Sequence, residues 1–367
     1  MKVRVLVAMS GGVDSSVAAA ILAQAGHDVE GATLKLWGGP SDSGCCSVAD
    51  VEDARRVARQ LGIDHHVFNF TDAFEAKVVT PYVADHAEGR TPNPCIECNR
   101  SIKFGLLLER ALRLGFDALA TGHHARVVVD HDSGAPRLRR GADSEKDQSY
   151  VLSMLTGREL GKVVLPVGDL TKAEVRARAG ELRLGTAQKP DSQDVCFIHS
   201  TRGRRGFLAE RMPLHGAELV EASSGEVVGT VAAGELVTVG QRRGLGVAVD
   251  GRRRYALTVD ARARCITVGP SDQAVGTRVA LDRAGWVGPA LARGDRALAQ
   301  TSAHGAAAAC TWEADAVVFD EPQPLVAPGQ TVALYDAADP DAVVGAAVAT
   351  VAADPVVAAV VAPSTVR

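Results

Sequence analysis

Aromatic residues are scarce in this chain: Phe, Tyr and Trp together make up 4% of its 367 residues. Alanine and valine must fill its cores instead. Long apolar runs are also missing. The most apolar stretch, PVVAAVVAPSTV over 355–366, is broken by proline and falls short of the ~20 residues that span a bilayer. The apolar part of the opening MKVRVLVAMSGG is too short for a secretory signal and runs directly into a turn motif. These absences exclude a membrane partner and lead us to expect a cytoplasmic protein. Basic residues are nearly absent from the last part of the chain, where Arg367 is the only Lys or Arg after residue 300. They concentrate in the middle, as RLRR (137–140), RGRR (202–205), RR (242–243) and RRR (252–254). The net charge of −4 does not suggest nucleic acid. A basic middle joined to an acidic end could still present a local cationic face to phosphates. Scattered, solvated arginines are the bland alternative.

A chain of this length implies two or three domains. The first part alternates strands with helices. KVRVLVAM, DVEGATLKL, DHHVFNF and FDALATG read as strands. SSVAAAILAQAG, DVEDARRVARQLG, TDAFEAKVVTPYVADHAEG and NRSIKFGLLLERALRLG read as helices. In the second helix Val51, Ala54, Val57, Ala58 and Leu61 share one face. This alternation predicts an α/β fold, with a Rossmann-like parallel sheet covered by helices on both faces. TRGRRG is a Gly/Arg-rich joint, and short strand-like runs divided by Gly, Asp and Pro follow it. The expected domains are 1–205, a small β-rich central domain over 206–278, and a C-terminal β-barrel over 279–367.

SGGVDSS, from Ser10 to Ser16, separates the first strand from the first helix. Gly11 and Gly12 permit backbone geometry in which amide N–H groups converge on an anion. Ser15 and Ser16 open the helix, whose positive end favours phosphate. A Walker A loop needs a lysine that is missing here. The loop therefore reads as a pyrophosphate cradle at the carboxyl end of a strand, where open α/β sheets bind ligands. A plain Gly-rich strand-to-helix turn is the less specific alternative.

Seven cysteines in a reducing compartment argue for chemistry or packing over a disulfide framework. Cys95 and Cys98, in RTPNPCIECN, could form half of a metal site, a redox couple, or a catalytic thiol beside a bystander. Cys196, in KPDSQDVCFI, has apolar neighbours and by itself would read as a core thiol. Cys265 and Cys310 read as core. Cys45 and Cys46 read as incidental loop residues. His123 and His124, in ATGHHAR, are candidates to line a nucleotide site or to be satisfied structural histidines.

SGGVDSS resembles the PP-loop ATP pyrophosphatase superfamily. Taken with RTPNPCIECNRSIKF, ATGHHAR, KDQSYVL, LPVGDLTKAEVRARA, KPDSQDVCFI and GQRRGLG, the chain resembles the tRNA-specific 2-thiouridylases within it. The likeness is strong up to about residue 270 and weaker in the C-terminal part. It implies a PP-loop domain of the adenine nucleotide alpha hydrolase-like type. It also implies ATP-dependent 2-thiolation of the wobble uridine (U34) of tRNA, by adenylation of the C2 oxygen and then sulfur transfer from a cysteine persulfide. ATP with Mg2+ is the implied cofactor, with Asp14 a candidate to help place the ion. The implied partners are the glutamate, glutamine and lysine acceptor tRNAs and a cysteine desulfurase or sulfur-relay protein.

Residue by residue, the resemblance places Cys98 as a catalytic cysteine and Cys196 as the persulfide bearer. Ala8, Met9, Ser10, Gly11, Gly12, Val13, Asp14, Ser15, Leu34 and Gly122 match ATP-contacting positions. Asn93, Pro94 and Cys95 match the segment that meets the target base. Lys146, Asp147 and Gln148, together with Ser302 and Ala303, match tRNA-contacting positions. Two departures stand out. Many members carry aspartate where Cys95 stands, so Cys95, Cys98 and Cys196 could together ligate an iron–sulfur cluster of the [4Fe-4S] kind. Many carry an arginine and an aromatic where Ser302 and Ala303 stand, which shifts the expected RNA grip toward the basic clusters. A PP-loop ligase acting on a metabolite would need neither Cys98 nor Cys196. An RNA-binding protein with a vestigial nucleotide site would bind tRNA without releasing AMP.

Overall fold

Alternation along the first strand determines how the first domain is built. In β1 (Arg4–Ala8), Leu6 packs into one buried cluster while Val5 and Val7 pack into another, because successive side chains of a strand point to opposite faces. A computed structural model describes residues 2–37, 48–131, 133–191, 195–198, 201–248 and 251–350. Cys45, Cys46, the 355–366 stretch, Arg367 and residues 192–194 of KPDSQDVCFI lie outside the described residues.

Parallel pairing joins β1 to β2 (Asp28–Lys35) and to β4 (Ala118–Ala120), with β3 (His65–Asn69) beyond β2. Two further strands, β5 (Ala125–Val129) and β6 (Pro136–Arg140), precede the short edge strand β7 (Val163–Val164). The sheet order is β3-β2-β1-β4-β7. Direction of progression reverses between β1 and β4, the usual place for a ligand crevice. Helix α1 (Val13–Gln24) is apolar almost all round and is buried to match, whereas α2 (Val48–Leu61) buries only Ala54, Val57 and Ala58. Helical backbone also runs over 71–87 and 94–113, as the sequence suggests.

The central sheet contains β8 (Ala217–Glu221), β9 (Val227–Val231), β10 (Tyr255–Asp260) and β11 (Cys265–Gly269), in the order β10-β11-β8-β9. The last six described strands are β12 (Val275–Trp286), β13 (Arg296–Gln300), β14 (Ala308–Trp312), β15 (Ala316–Pro324), β16 (Thr331–Asp336) and β17 (Ala342–Ala349). All their pairings are antiparallel, and pairing of β12 with β17 closes them into a barrel. Closure removes the exposed edges that an open sheet would leave. Cys310 is buried in this barrel and Cys265 is half-buried on β11. Among the described residues no helix is long and apolar enough to cross a membrane.

The hairpin β5–β6 was not expected. It leaves the first domain and adds to the barrel, with Arg139 opposite Ala342 and Leu138 opposite Val343. RLRR therefore lies on a paired strand and does not form a solvated cationic face. Arg137 pairs with Asp130 at 2.7 Å, Arg139 pairs with Asp339, and Arg140 pairs with Asp147 at 2.8 Å. Arg140 also stacks 3.8 Å over the Tyr335 ring. The acidic turn of the barrel, Asp339–Asp341, neutralises much of the cluster.

One titration follows from packing between the helical backbone over 71–87 and the central domain. His86 is buried, with Nδ1 3.3 Å from the Glu235 carbonyl oxygen. Burial, reinforced by the Arg204 charge, lowers its pKa to about 4. The unfolded chain takes up this proton below about pH 6.5, so the contribution to stability is complete above that pH. It is lost as pH falls to about 4. Denaturant melts at pH 7 and pH 4.5 are expected to differ by less in His86→Gln than in the parent.

Candidate functional site

At the carboxyl end of β1 the chain turns through Ser10, Gly11 and Gly12 into α1. Thr33 Oγ1 donates to the Met9 carbonyl at 2.7 Å and fixes the start of the turn. Gly11 has φ +72°, and a Cβ there would lie 2.2 Å from the Asp50 carbonyl oxygen. Both its dihedral and its surroundings require glycine. Lys189 Nζ donates to the Gly11 carbonyl at 3.0 Å and pairs with Asp50 and Asp53 at 2.6 Å each, binding the turn to α2. The Ser10 amide donates to Ser15 Oγ at 3.2 Å, and Ser16 Oγ donates to the Gly12 carbonyl at 2.8 Å. Gly12 is the N-cap of α1 and has no side-chain cap. The first N–H groups of the helix thus remain directed at the turn, the arrangement that receives a phosphate.

Gly122, just beyond β4, presses against this helix start. A Cβ on Gly122 would lie 2.5 Å from the Ser15 amide nitrogen. Val13 and Leu34 are buried, Leu34 in the cluster that holds Leu6. Met9 is buried and Ala8 is half-buried.

Asp14 sits at the centre of a charge chain that sequence reasoning missed. Lys172 Nζ donates to both of its carboxylate oxygens, at 2.7 and 2.8 Å, and His124 Nε2 lies 3.2 Å from Oδ1. Burial would raise the Asp14 pKa, but the hydrogen bonds and charges of His124 and Lys172 outweigh it and hold the group below the ordinary carboxylate range. Lys172 continues to Asp191 at 2.7 Å, and Asp191 meets Arg176 at 2.9 Å and Lys146 at 3.3 Å. Asp14 therefore meets Lys172 and His124 at the start of α1. Lys172 begins the helix Lys172–Glu181, capped by Thr171. Its cue in the sequence was LTKAEV, a capped helix start with a lysine on its first turn. His123 is buried with Nδ1 2.7 Å from Thr121 Oγ1.

The loop before Cys98 is shaped by capping. Asn93 Oδ1 accepts from the Cys95 and Ile96 amides at 3.1 and 3.4 Å, and Pro94 occupies the first helical position. Cys95 points out and Cys98 points in: the first is exposed, the second buried. From Cys98 to Leu107 the helix is of the wider π type, a feature common at functional sites. Asn99 Nδ2 donates to the Val151 carbonyl at 3.2 Å.

The few aromatics of the chain converge near Cys196. Phe197 packs at centroid distances of 5.6 Å from Phe74, 5.5 Å from Tyr82, 5.0 Å from Phe207 and 6.2 Å from Trp37. Cys98 is a member of the buried cluster that contains these phenylalanines and Tyr82, and half-buried Cys196 packs against it. The two cysteines, 98 positions apart in the chain, thus border the same apolar cluster. The three-thiolate set is not assembled: among the described residues no group of three or more His, Cys, Asp or Glu is arranged to hold a metal. Cys95 and Cys98 are neighbours on one helix face by spacing, yet the first is exposed and the second buried, which is why their spacing alone misleads.

The remaining matched positions organise neighbouring segments. Asp147 accepts from the Gly141 and Ser149 amides, at 2.9 and 3.0 Å, as well as from Arg140. Gln148 Oε1 accepts from the His124 amide at 2.9 Å, and the Gln148 amide donates to the His124 carbonyl at 2.8 Å. Ser302 and Ala303 lie in an exposed turn whose carbonyls accept from Gln300 Nε2. That turn leads to Gly305–Ala307, on the rim of a cleft of about 380 Å³ that Arg126 and Arg140 also line.

A family profile described as tRNA methyl transferase HUP domain matches residues 3–200. The chain is similar to the tRNA-specific 2-thiouridylase MnmA of Salinispora tropica, 45% identical over 91% of this chain and 94% of that one. The protein of the same name from Heliobacterium modesticaldum is 43% identical over 91% of this chain and 90% of its own. Among solved structures, a 4-thiouridine synthetase–RNA complex with bound ATP is 21% identical, covering 53% of this chain and 45% of that chain at a TM-score of 0.36.

Proposed function

The chain belongs to the tRNA-specific 2-thiouridylase family, and on that premise we propose that it catalyses ATP-dependent 2-thiolation of the wobble uridine of tRNA. The observation that supports this most is the pairing of two sites in one domain. One is a glycine turn whose helix N–H groups await an anion. The other is a single buried cluster bordered by both Cys98 and Cys196. A ligase for a small metabolite has no use for the second.

The chemistry proceeds in two displacements. The uracil C2 oxygen attacks the α-phosphorus of ATP, an O–P bond forms, and pyrophosphate leaves toward the turn at Gly11 and Gly12. The base is then activated, because AMP is a far better leaving group than oxide. The terminal sulfur of a persulfide on Cys196 attacks C2, and the C2–O bond breaks with release of AMP. The Cys98 thiolate next attacks the Cys196 sulfur. The S–S bond to the base breaks, leaving 2-thiouridine and a Cys98–Cys196 disulfide that an external thiol reduces. Sulfur reaches Cys196 from a cysteine desulfurase or a relay protein, in the cytoplasm. Mg2+ accompanies ATP through its phosphates. The substrates are the glutamate, glutamine and lysine acceptors. Incubation with ATP, a competent sulfur donor and unmodified tRNA is expected to yield 2-thiouridine by mass spectrometry. Its absence would reject the reading.

RNA contact is expected from arginines that the fold leaves exposed. Arg242 and Arg243 are exposed beside the central sheet, whereas RLRR is paired with acids. Changing Arg242 and Arg243 to alanine is expected to weaken tRNA binding. It is also expected to flatten the slope of log K against log[salt] by ~1 per arginine. An unchanged slope, measured by filter binding at several salt concentrations, would place the phosphate contacts elsewhere.

A further inference from the structure

The loop that carries Cys98 is held on both sides by one turn of the C-terminal barrel. Upstream, the Thr91 amide donates to the Pro328 carbonyl at 2.7 Å, and Gln330 Nε2 donates to the Thr91 carbonyl. Gly329 between them has φ +89°, and a Cβ there would lie 3.2 Å from the Thr91 nitrogen. The turn cannot thicken without pushing the loop. Downstream, Asn99 is bonded to the Val151 carbonyl. The neighbouring Tyr150 is buried, and its hydroxyl donates to the Thr331 carbonyl at 2.8 Å. Residues 328–331 thus reach Thr91, seven positions before Cys98, and, through Tyr150 and Val151, Asn99, one position after it. The turn itself is fixed to the end of β17, where the Gly329 amide donates to the Ala349 carbonyl and the Ala349 amide donates to the Gln330 carbonyl, both at 2.8 Å.

We infer that the barrel is a positioning device for the sulfur-transfer step, and that Gln330 and Tyr150 are positioning residues that hold Cys98 for its attack on the Cys196 sulfur once the base has been joined to it. This rests on the thiolation reading above. Neither residue belongs to the turn that receives pyrophosphate or to the cysteine pair. Their loss changes where Cys98 sits without removing a reacting group. When Cys98 is misplaced, AMP has already left but the base stays joined to Cys196 through the S–S bond, so the first turnover releases AMP without an equal yield of 2-thiouridine. The diagnostic quantity is therefore the number of AMP molecules released per 2-thiouridine formed. A variant that is merely less folded lowers both products together and leaves that ratio unchanged.

Gln330→Ala removes the donor to Thr91, and Tyr150→Phe removes one hydroxyl while keeping the ring that fills its buried site. In each, over the first turnover of persulfide-loaded enzyme with saturating ATP and tRNA, the rate of 2-thiouridine formation is expected to fall about 10-fold or more, a size typical of an ångström-scale misplacement. AMP released per 2-thiouridine is expected to rise several-fold, while KM for ATP stays within about 2-fold of the parent. The inference is overturned if both variants keep the parental ratio, whether their rates are normal or reduced. If the parent itself turns over ATP with tRNA but forms no 2-thiouridine, the thiolation reading fails instead.

Discussion

Cys98→Ser is expected to lower 2-thiouridine formation on the order of 10³-fold or more, the scale of removing a covalent nucleophile, while ATP binding persists. The hydroxyl is close to the thiol in size but is not a thiolate source near neutral pH, and it cannot cleave a persulfide S–S bond. Because Cys98 is buried, a new hydroxyl at that place also costs about 1–3 kcal/mol if it finds no partner. Cys98→Ala is the companion variant, apolar and equally inactive. Cys196→Ser should match both in thiolation. Cys95→Ser provides the contrast. Cys95 is exposed on the outer side of its helical turn, so its loss is expected to reduce thiolation less than about 10-fold. A ligand role for Cys95 in an iron–sulfur cluster would instead make all three cysteines equally indispensable. Iron, sulfide and visible absorbance of anaerobically purified protein would show the same distinction directly.

Gly12→Ala is expected to separate ligand from fold. Gly12 has φ −90° and ψ 167°, ordinary extended values, and a Cβ there would only touch Ser10 Oγ at 3.4 Å. No contact in the folded chain requires glycine at this position, and alanine at an N-cap costs about 0.5–1 kcal/mol relative to glycine. A bound pyrophosphate would be close enough to require it. The expected result is a protein of nearly parental thermal stability whose kcat/KM for ATP falls about 10²-fold. Gly122→Ala behaves differently: its Cβ would lie 2.5 Å from the Ser15 nitrogen and 2.6 Å from the Asp14 carbonyl carbon, both rigid backbone of the helix start. Overpacking of that kind is expected to cost about 1–3 kcal/mol of stability as well as ATP turnover. If Gly12→Ala left ATP kinetics intact, the phosphates would not lie against this turn.

The features that could be read from the chain were local ones. Strand alternation, the helix face of α2 and the glycine turn depend on residues within a few positions of one another, and all appear in the structure. RTPNPCIECN did not read as helix, which the sequence placed from Asn99 onward; the structure starts it at Pro94, with Asn93 as its cap. The pairing of Asp14 with Lys172 spans 158 positions, and no local pattern predicts it. The same is true of the β5–β6 hairpin, whose four-residue basic run resembles a surface cluster until Asp339 and Asp341 are brought beside it.

By itself the sequence determined the element order, the anion-receiving turn and the candidate cysteines, since each rests on short-range geometry or on the chemistry of a single side chain. Only the tertiary structure decided which of those groups are available. Packing left Cys95 exposed in the first turn of its helix and buried Cys98 one turn on. Long-range packing collected five aromatics, from Trp37 to Phe207, around the segment that bears Cys196. Pairing of the β5–β6 hairpin with β17 brought Arg139 to Asp339, and the barrel set one of its turns against the loop before Cys98. These outcomes depend on residues far apart in the chain whose charges and volumes meet only after the sheets have formed.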